Sequence, residues 1–323
     1  MYDYFMEKLV YQKFILGTGE SLDKALSRGL SGVIFFTQDI ENELQFKGLI
    51  QEIKSKSLIP PFLSIDQEGG RVERTENIRP KRLSVRYAFE KGEDFLKEQS
   101  DEISFELKNW GLNLNFAPCV DVNTNPNNPI IGERAFADNP EDVIKGAEVF
   151  IKSSRKNGII PSVKHFPGHG DADKDSHLAL PQINLPLDKM ELIHIRPFKK
   201  AIEDNIEMIM VAHLHCTCFD EEPVPTSLSK NAISYLRNEL KYDGVIITDD
   251  MVMKGVQDFG SLEACIMAIR AGVDMFIFRE ANEETIKLIE DLVFEIEKDE
   301  ELKAKVLESN ERILKLKQSY RIL

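Results

Sequence analysis

Eight short apolar runs recur along the chain, at 13–16, 32–36, 61–65, 112–117, 158–164, 206–212, 244–248 and 273–278. Each is followed by a polar turn and a helical pattern. None of them alternates apolar with polar residues. A strand with one face in water must alternate, so these runs belong to strands covered on both faces, as in parallel sheets flanked by helices. Between them, Ile103, Leu107 and Trp110 fall at i, i+4 and i+7, and Gly111 supplies a C-terminal stop. Leu262, Cys265, Ile266 and Ile269 repeat the stripe, as do Ile286, Ile289, Val293 and Ile296. Eight such units predict an α/β fold, a (β/α)8 barrel forming one catalytic domain over 1–323, with a doubly wound parallel sheet as the alternative. A doubly wound sheet would more often carry a Gly-rich phosphate loop after its first strand, and Gly17-Thr18-Gly19 is too short a signal for that. From about residue 281 the chain reads as a charged helical extension, expected to pack outside the barrel.

Charge and cysteine usage narrow the function classes. The 41 basic and 55 acidic residues give a net charge of −14, which disfavours nucleic acid and anionic membrane surfaces as partners. The four cysteines, Cys119, Cys216, Cys218 and Cys265, have no framework spacing, as in a protein of a reducing compartment. Residues 1–16 lack the basic and apolar regions of a signal peptide, and no stretch approaches a membrane span. A cytoplasmic location is expected; oligomeric state is left open.

In a barrel of this kind catalytic groups sit at the C-terminal ends of strands, so the polar residues after each run are the candidates. The third run ends on Asp66-Gln67-Glu68-Gly69-Gly70-Arg71-Val72-Glu73-Arg74, the fourth leads to Asp121 and to Ile131-Gly132-Glu133-Arg134, and the sixth closes on His213-Leu214-His215. The fifth opens into Lys164-His165-Phe166-Pro167-Gly168-His169-Gly170 and then Asp175-Ser176-His177, and the seventh ends on Thr248-Asp249-Asp250-Met251. Asp249, ending a buried strand, needs cations such as Lys164 or Arg134 to stay ionised as a nucleophile must; it reads equally as a helix cap, for which Asp250 is better placed. His177 reads as a proton donor and acceptor oriented by Asp175, or as a solvated loop histidine. Gly69-Gly70 is expected to turn the backbone sharply and place Asp66 and Arg74 at the barrel mouth, unless those two form a structural ion pair. His165, His169, His213, His215, Cys216 and Cys218 invite a metal, but their spacing matches neither HExxH nor paired CxxC, so no metal and no cofactor is expected.

Taken together, 164–170 with 175–177, 65–72, 131–136 and 248–251 closely resemble, in order, the motifs of family 3 glycoside hydrolases of the NagZ type, which are β-N-acetylglucosaminidases. The resemblance runs from about residue 30 to about residue 280. It implies that Asp249 is the nucleophile of a retaining mechanism and that His177, paired with Asp175, is the general acid/base. It also implies that Asp66, Arg74, Arg134, Lys164 and His165 hold the N-acetylglucosamine ring, with His213 at a further family position. Members with an added C-terminal domain often draw the acid from it. With roughly 40 residues after 281, this chain is expected to supply the acid from the barrel through His177. Residues 15–19 match the family poorly, and His215, Cys216 and Cys218 are not features of it.

The expected activity is therefore removal of terminal β-linked N-acetylglucosamine from peptidoglycan (muropeptide) fragments in cell-wall recycling, with a small carbohydrate as the partner. A β-N-acetylglucosaminide phosphorylase or related family 3 exo-glycosidase is the nearest alternative. Further off stand a metal-dependent hydrolase and a sugar-binding barrel without catalysis.

Overall fold

The computed structural model describes residues 4–172 and 180–323. Its centre is a closed barrel of eight parallel strands: β1 (Phe14–Leu16), β2 (Gly32–Phe35), β3 (Phe62–Ile65), β4 (Leu114–Asn115), β5 (Ile160–Phe166), β6 (Met208–Val211), β7 (Val245–Asp250) and β8 (Met275–Phe278). They pair in sequence order, with β1 hydrogen-bonded to β8 to close the ring. Each lies within or across one of the eight apolar runs, and the doubly wound alternative is set aside.

Both strand faces are buried, which is why the runs do not alternate. Phe14, Leu16, Val33, Phe35, Leu63 and Ile65 face the surrounding helices, whereas Ile15, Ile34, Phe62, Leu114, Ile160, Met208, Val245, Ile247, Met275 and Ile277 fill the barrel interior. Side chains two apart share a face. The interior series Val245, Ile247 therefore continues to Asp249, and the series from Ile160 continues through Ser162 to Lys164. The barrel is an apolar column capped at its C-terminal end by charged side chains.

The helices form where their stripes predict. Glu93–Trp110 buries Ile103, Leu107 and Trp110, and ends at Gly111 with φ of 102°, a conformation that suits glycine. Ser261–Ala271 and Glu283–Lys298 bury the other two stripes.

The extension after 281 divides. Glu283–Lys298 packs outside the barrel against the helices Tyr4–Tyr11 and Ser261–Ala271. The second helix, Glu300–Ser319, does not simply join that outer ring: Ile313 and Leu316 pack with Ile15, Phe62, Leu114 and Met208 at the lower, N-terminal end of the strands. Lys317 Nζ donates to Gln12 Oε1 at 3.0 Å and to the Pro60 carbonyl at 3.1 Å, and Tyr320 Oη donates to Glu207 at 2.6 Å. A face that is apolar at helical spacing must be buried, but sequence does not say against which end of a barrel.

A short parallel pair outside the barrel joins Gln182–Ile183 to His215–Cys216. Among the described residues no helix is long and apolar enough to cross a membrane.

Candidate active site

At the C-terminal end of the barrel a cavity of about 360 Å³ is lined by Asp66, Arg74, Arg134, Lys164, His165 and Asp249, together with Arg71, His169 and apolar residues including Met210 and Met253. That volume is within the range of small-ligand sites. Six of the nine residues singled out from sequence thus share one wall. Asp175 and His177 lie outside the described residues.

The cavity floor is an ion network. Lys164 Nζ sits 2.6 Å from Asp66 Oδ1 and 2.6 Å from Glu68 Oε1. Glu68 also takes two parallel bonds from Arg134, Nε to Oε2 at 2.9 Å and Nη2 to Oε1 at 2.8 Å. Burial of Glu68 works against its charge, but Arg134 and Lys164 outweigh that and hold its carboxyl well below the usual range. Burial likewise opposes the charge on Lys164, and the Asp66 and Glu68 carboxylates overcome it, so its pKa is raised. Asp66 therefore pairs with Lys164 and not with Arg74. The Arg74 guanidinium stacks 5.7 Å from the Phe36 ring centroid, and its backbone N–H donates to Gln67 Oε1 at 2.9 Å. Gly69 and Gly70, with φ of 100° and 61°, make the turn that brings residue 74 back over residue 66.

His165 is fixed from behind. Its Nδ1 lies 2.7 Å from Asp121 Oδ2 and its Nε2 lies 3.3 Å from Arg134 Nη2; a guanidinium only donates, so Nε2 accepts and Nδ1 donates to Asp121. Asp121 is fully buried and also accepts the His169 N–H at 2.6 Å. Burial pushes its carboxyl up, but the His165 ring N–H and the His169 backbone N–H hold it well below its ordinary value. The Cys119 thiol donates to the same carboxylate at 3.2 Å. Cys119, Asp121 and His165 place donor atoms within 4.8 Å of one another, a grouping of metal-ligand types. Burial pushes the Cys119 thiol well up, so it stays a proton donor to Asp121, and the three groups are already satisfied by one another.

Asp249 takes the Asp250 N–H onto Oδ1 at 2.8 Å. Burial raises its pKa, but its polar surroundings, among them that N–H and the Lys164 ammonium, outweigh burial and leave it lowered. The carboxylate is therefore ionised at neutral pH. Neither aspartate caps the next helix: Lys254–Gln257 follows Met253 with no side-chain cap. Asp250 instead accepts the Val252 N–H at 3.2 Å and binds Arg279 Nε at 2.5 Å, because the intervening turn carries the helix start out of its reach.

His213 does not line the cavity. Its Nε2 lies 3.1 Å from the Asp250 carbonyl, which can only accept, and its Nδ1 takes the Ser227 hydroxyl at 2.7 Å. Burial lowers its pKa, and the ring stands as a neutral prop behind Asp249 and Asp250. His215 Nε2 is occupied by the Asp220 carbonyl at 2.9 Å.

Glu68 and Asp121 hold the cavity-lining side chains in place but were not among the residues chosen from sequence. Both follow apolar runs, so position flagged them. What marked them out further was charge: each is an acid a few residues beyond a buried strand, obliged to find a cation or donors inside. Their partners, Arg134 and His165, are too far along the chain for spacing to reveal.

Comparison with known proteins accords with this geometry. Residues 19–316 match the family described as "Glycosyl hydrolase family 3 N terminal domain". "Beta-hexosaminidase A" of Pseudoalteromonas piscicida is 36% identical over 278 residues, covering 79% of this chain and 46% of that protein. The "Beta-hexosaminidase" of Methylococcus capsulatus is 33% identical over 267 residues, covering 81% of this chain and 79% of that protein. Among solved structures, a family 3 β-N-acetylglucosaminidase from Paenibacillus sp. str. FPU-7 superposes with a TM-score of 0.92 at 30% identity, over 98% of this chain and 62% of that one. The chain thus spans less than half of the first of these relatives and less than two thirds of the Paenibacillus chain. With an eight-stranded barrel, an acid ending β7 and the family's sequence over nearly its whole length, the chain belongs to glycoside hydrolase family 3.

Proposed function

We propose that the protein is a retaining exo-β-N-acetylglucosaminidase. The observation that carries this reading is Asp249: an ionised carboxylate ending β7 and facing a cavity whose other polar residues are already organised by Glu68 and Asp121. Asp249 attacks the anomeric carbon and forms the glycosyl-enzyme intermediate. His177, oriented by Asp175, protonates the departing oxygen and then activates water, so the β configuration is retained. The roles of His177 and Asp175 rest on sequence alone. Asp66, Arg74, Arg134, Lys164 and His165 hold the sugar ring. The Asp66 carboxylate and Arg74 suit its hydroxyls, and Lys164 fixes Asp66 in place. His213 acts as a positioning residue, holding the Asp250 carbonyl and so the end of β7. The substrate is a small N-acetylglucosamine-containing muropeptide fragment, and the setting is cytoplasmic cell-wall recycling.

The test compares release from a chromogenic β-N-acetylglucosaminide and the matching β-glucoside, with and without added phosphate. Release from the N-acetyl sugar, unchanged by phosphate, is expected. Asp249→Asn should lower kcat by about 10⁴-fold or more while circular dichroism stays native. Wild-type turnover in that variant would sink the nucleophile assignment, and dependence on phosphate would make the enzyme a phosphorylase.

A further inference from the structure

The segment Cys216-Thr217-Cys218 takes no part in the machinery above, and it differs from the other two cysteines. Cys119 and Cys265 are buried, and burial pushes both thiols up, leaving them protonated. Cys218 is half-buried, and its Sγ lies 3.3 Å from Cys216 Sγ. A turn places them so: Phe219 N and Asp220 N both donate to the Cys216 carbonyl, at 3.0 and 3.3 Å, which folds residue 218 back against residue 216. The hydrogen bond from the Cys216 thiol lowers the Cys218 pKa, so the accessible sulfur is also the better nucleophile.

The same segment is tied to its neighbours on both sides. His215 N donates to the Pro181 carbonyl at 2.8 Å, and Thr217 N and Oγ1 both donate to the Ile183 carbonyl, at 3.1 and 3.3 Å. Residues 181–183 come shortly after Asp175 and His177 in the chain. In the other direction, His213 precedes His215 by two residues and bonds the carbonyl of Asp250, next to Asp249.

We propose that Cys216 and Cys218 form a thiol–disulfide exchange site that takes low-molecular-weight disulfides as oxidant, and that its closure into an intrachain disulfide lowers turnover. The effect on turnover rests on the hydrolase reading; the exchange site does not. The Cys218 thiolate attacks one sulfur of glutathione disulfide, whose S–S bond breaks as a mixed disulfide forms and one glutathione thiolate leaves. Cys216 then loses its proton and attacks the Cys218 sulfur, expelling the second glutathione. The protein gives up two electrons and two protons, and the oxidant gains both. The sulfurs must close from 3.3 Å to a bond of about 2.05 Å. That movement shifts Thr217, which sits between them and carries two of the bonds to Ile183.

The experiment is to incubate reduced protein with glutathione disulfide, then read intact mass, peptide map and turnover. Loss of two hydrogens, mapped to the peptide holding 216–218, is expected with kcat falling about 10-fold or more, as small displacements of catalytic groups produce, and dithiothreitol restoring it. Cys218→Ser should match reduced wild type and ignore the oxidant. Cys216→Ser should retain one glutathione on Cys218, the trapped intermediate. Wild-type protein that keeps both hydrogens, or that closes the disulfide with kcat unchanged, overturns the proposal. Reduced wild type without hydrolysis would remove the turnover claim, and the mass readout would still decide the exchange site.

Discussion

Glu68 lies outside the cavity wall but governs two residues on it. Its carboxylate neutralises Arg134 and Lys164 together, and Lys164 in turn fixes Asp66. Removing a buried charge from such a network leaves its cations uncompensated, at a cost of about 3–5 kcal/mol. Glu68→Gln should therefore lower the urea midpoint by that much stability and raise KM. The sign with pH follows from the depressed pKa. Glu68 contributes its full stability above its unfolded pKa of about 4.3 and loses it as pH falls further, so the variant should show a shallower loss below about pH 4. His169 acts in a higher window. Burial lowers its pKa to about 4, and neither ring nitrogen has a hydrogen-bond partner among the described residues. The unfolded chain binds this proton near pH 6.5 and the folded chain near 4, so stability present above 6.5 is lost progressively down to 4. Denaturation of His169→Gln measured across that window should show a flatter slope, by on the order of 3 kcal/mol in total. An unchanged slope would mean that the ring finds a proton partner.

Among the elements, the helix Glu300–Ser319 makes the contact with the clearest consequence. Ile313 is 1% exposed and packs into the lower barrel interior, away from the cavity. Ile313→Ala should cost about 2–4 kcal/mol in denaturant unfolding and leave KM unchanged. A shift in KM would show that the two ends of the barrel communicate. This helix also marks where sequence stopped being sufficient. The strands were legible because burial on both faces removes alternation, and the residue after each strand was legible as a consequence. Lys164 and Asp249 were accordingly placed at the barrel mouth before any contact was known. The destination of Ile313 was not legible, because a stripe records that a face is buried and not what covers it. His213 is a similar case: its place at a strand end was legible, but its Ser227 and Asp250 partners, which set it behind the cavity, were not. Glu68 and Asp121 needed their distant partners to be seen.

In the whole molecule the two ends of the barrel have different work. The upper end carries the acid, the cations and the cavity; the lower end is shut by a helix held through Lys317 and Tyr320. Around the cavity Arg71, Arg74, Arg134 and Lys164 outnumber Asp66 and Asp249, so the net charge of −14 is carried by the rest of the chain. The same barrel occurs within the longer Paenibacillus chain with a TM-score of 0.92, so its geometry is kept where further chain is present. Because the closing helix runs out at Ser319 beside Glu207 and Pro60, the chain leaves the barrel on the side away from its mouth. An affinity tag joined after this helix would therefore tether the barrel to a bead or sensor chip with its mouth turned toward the solution.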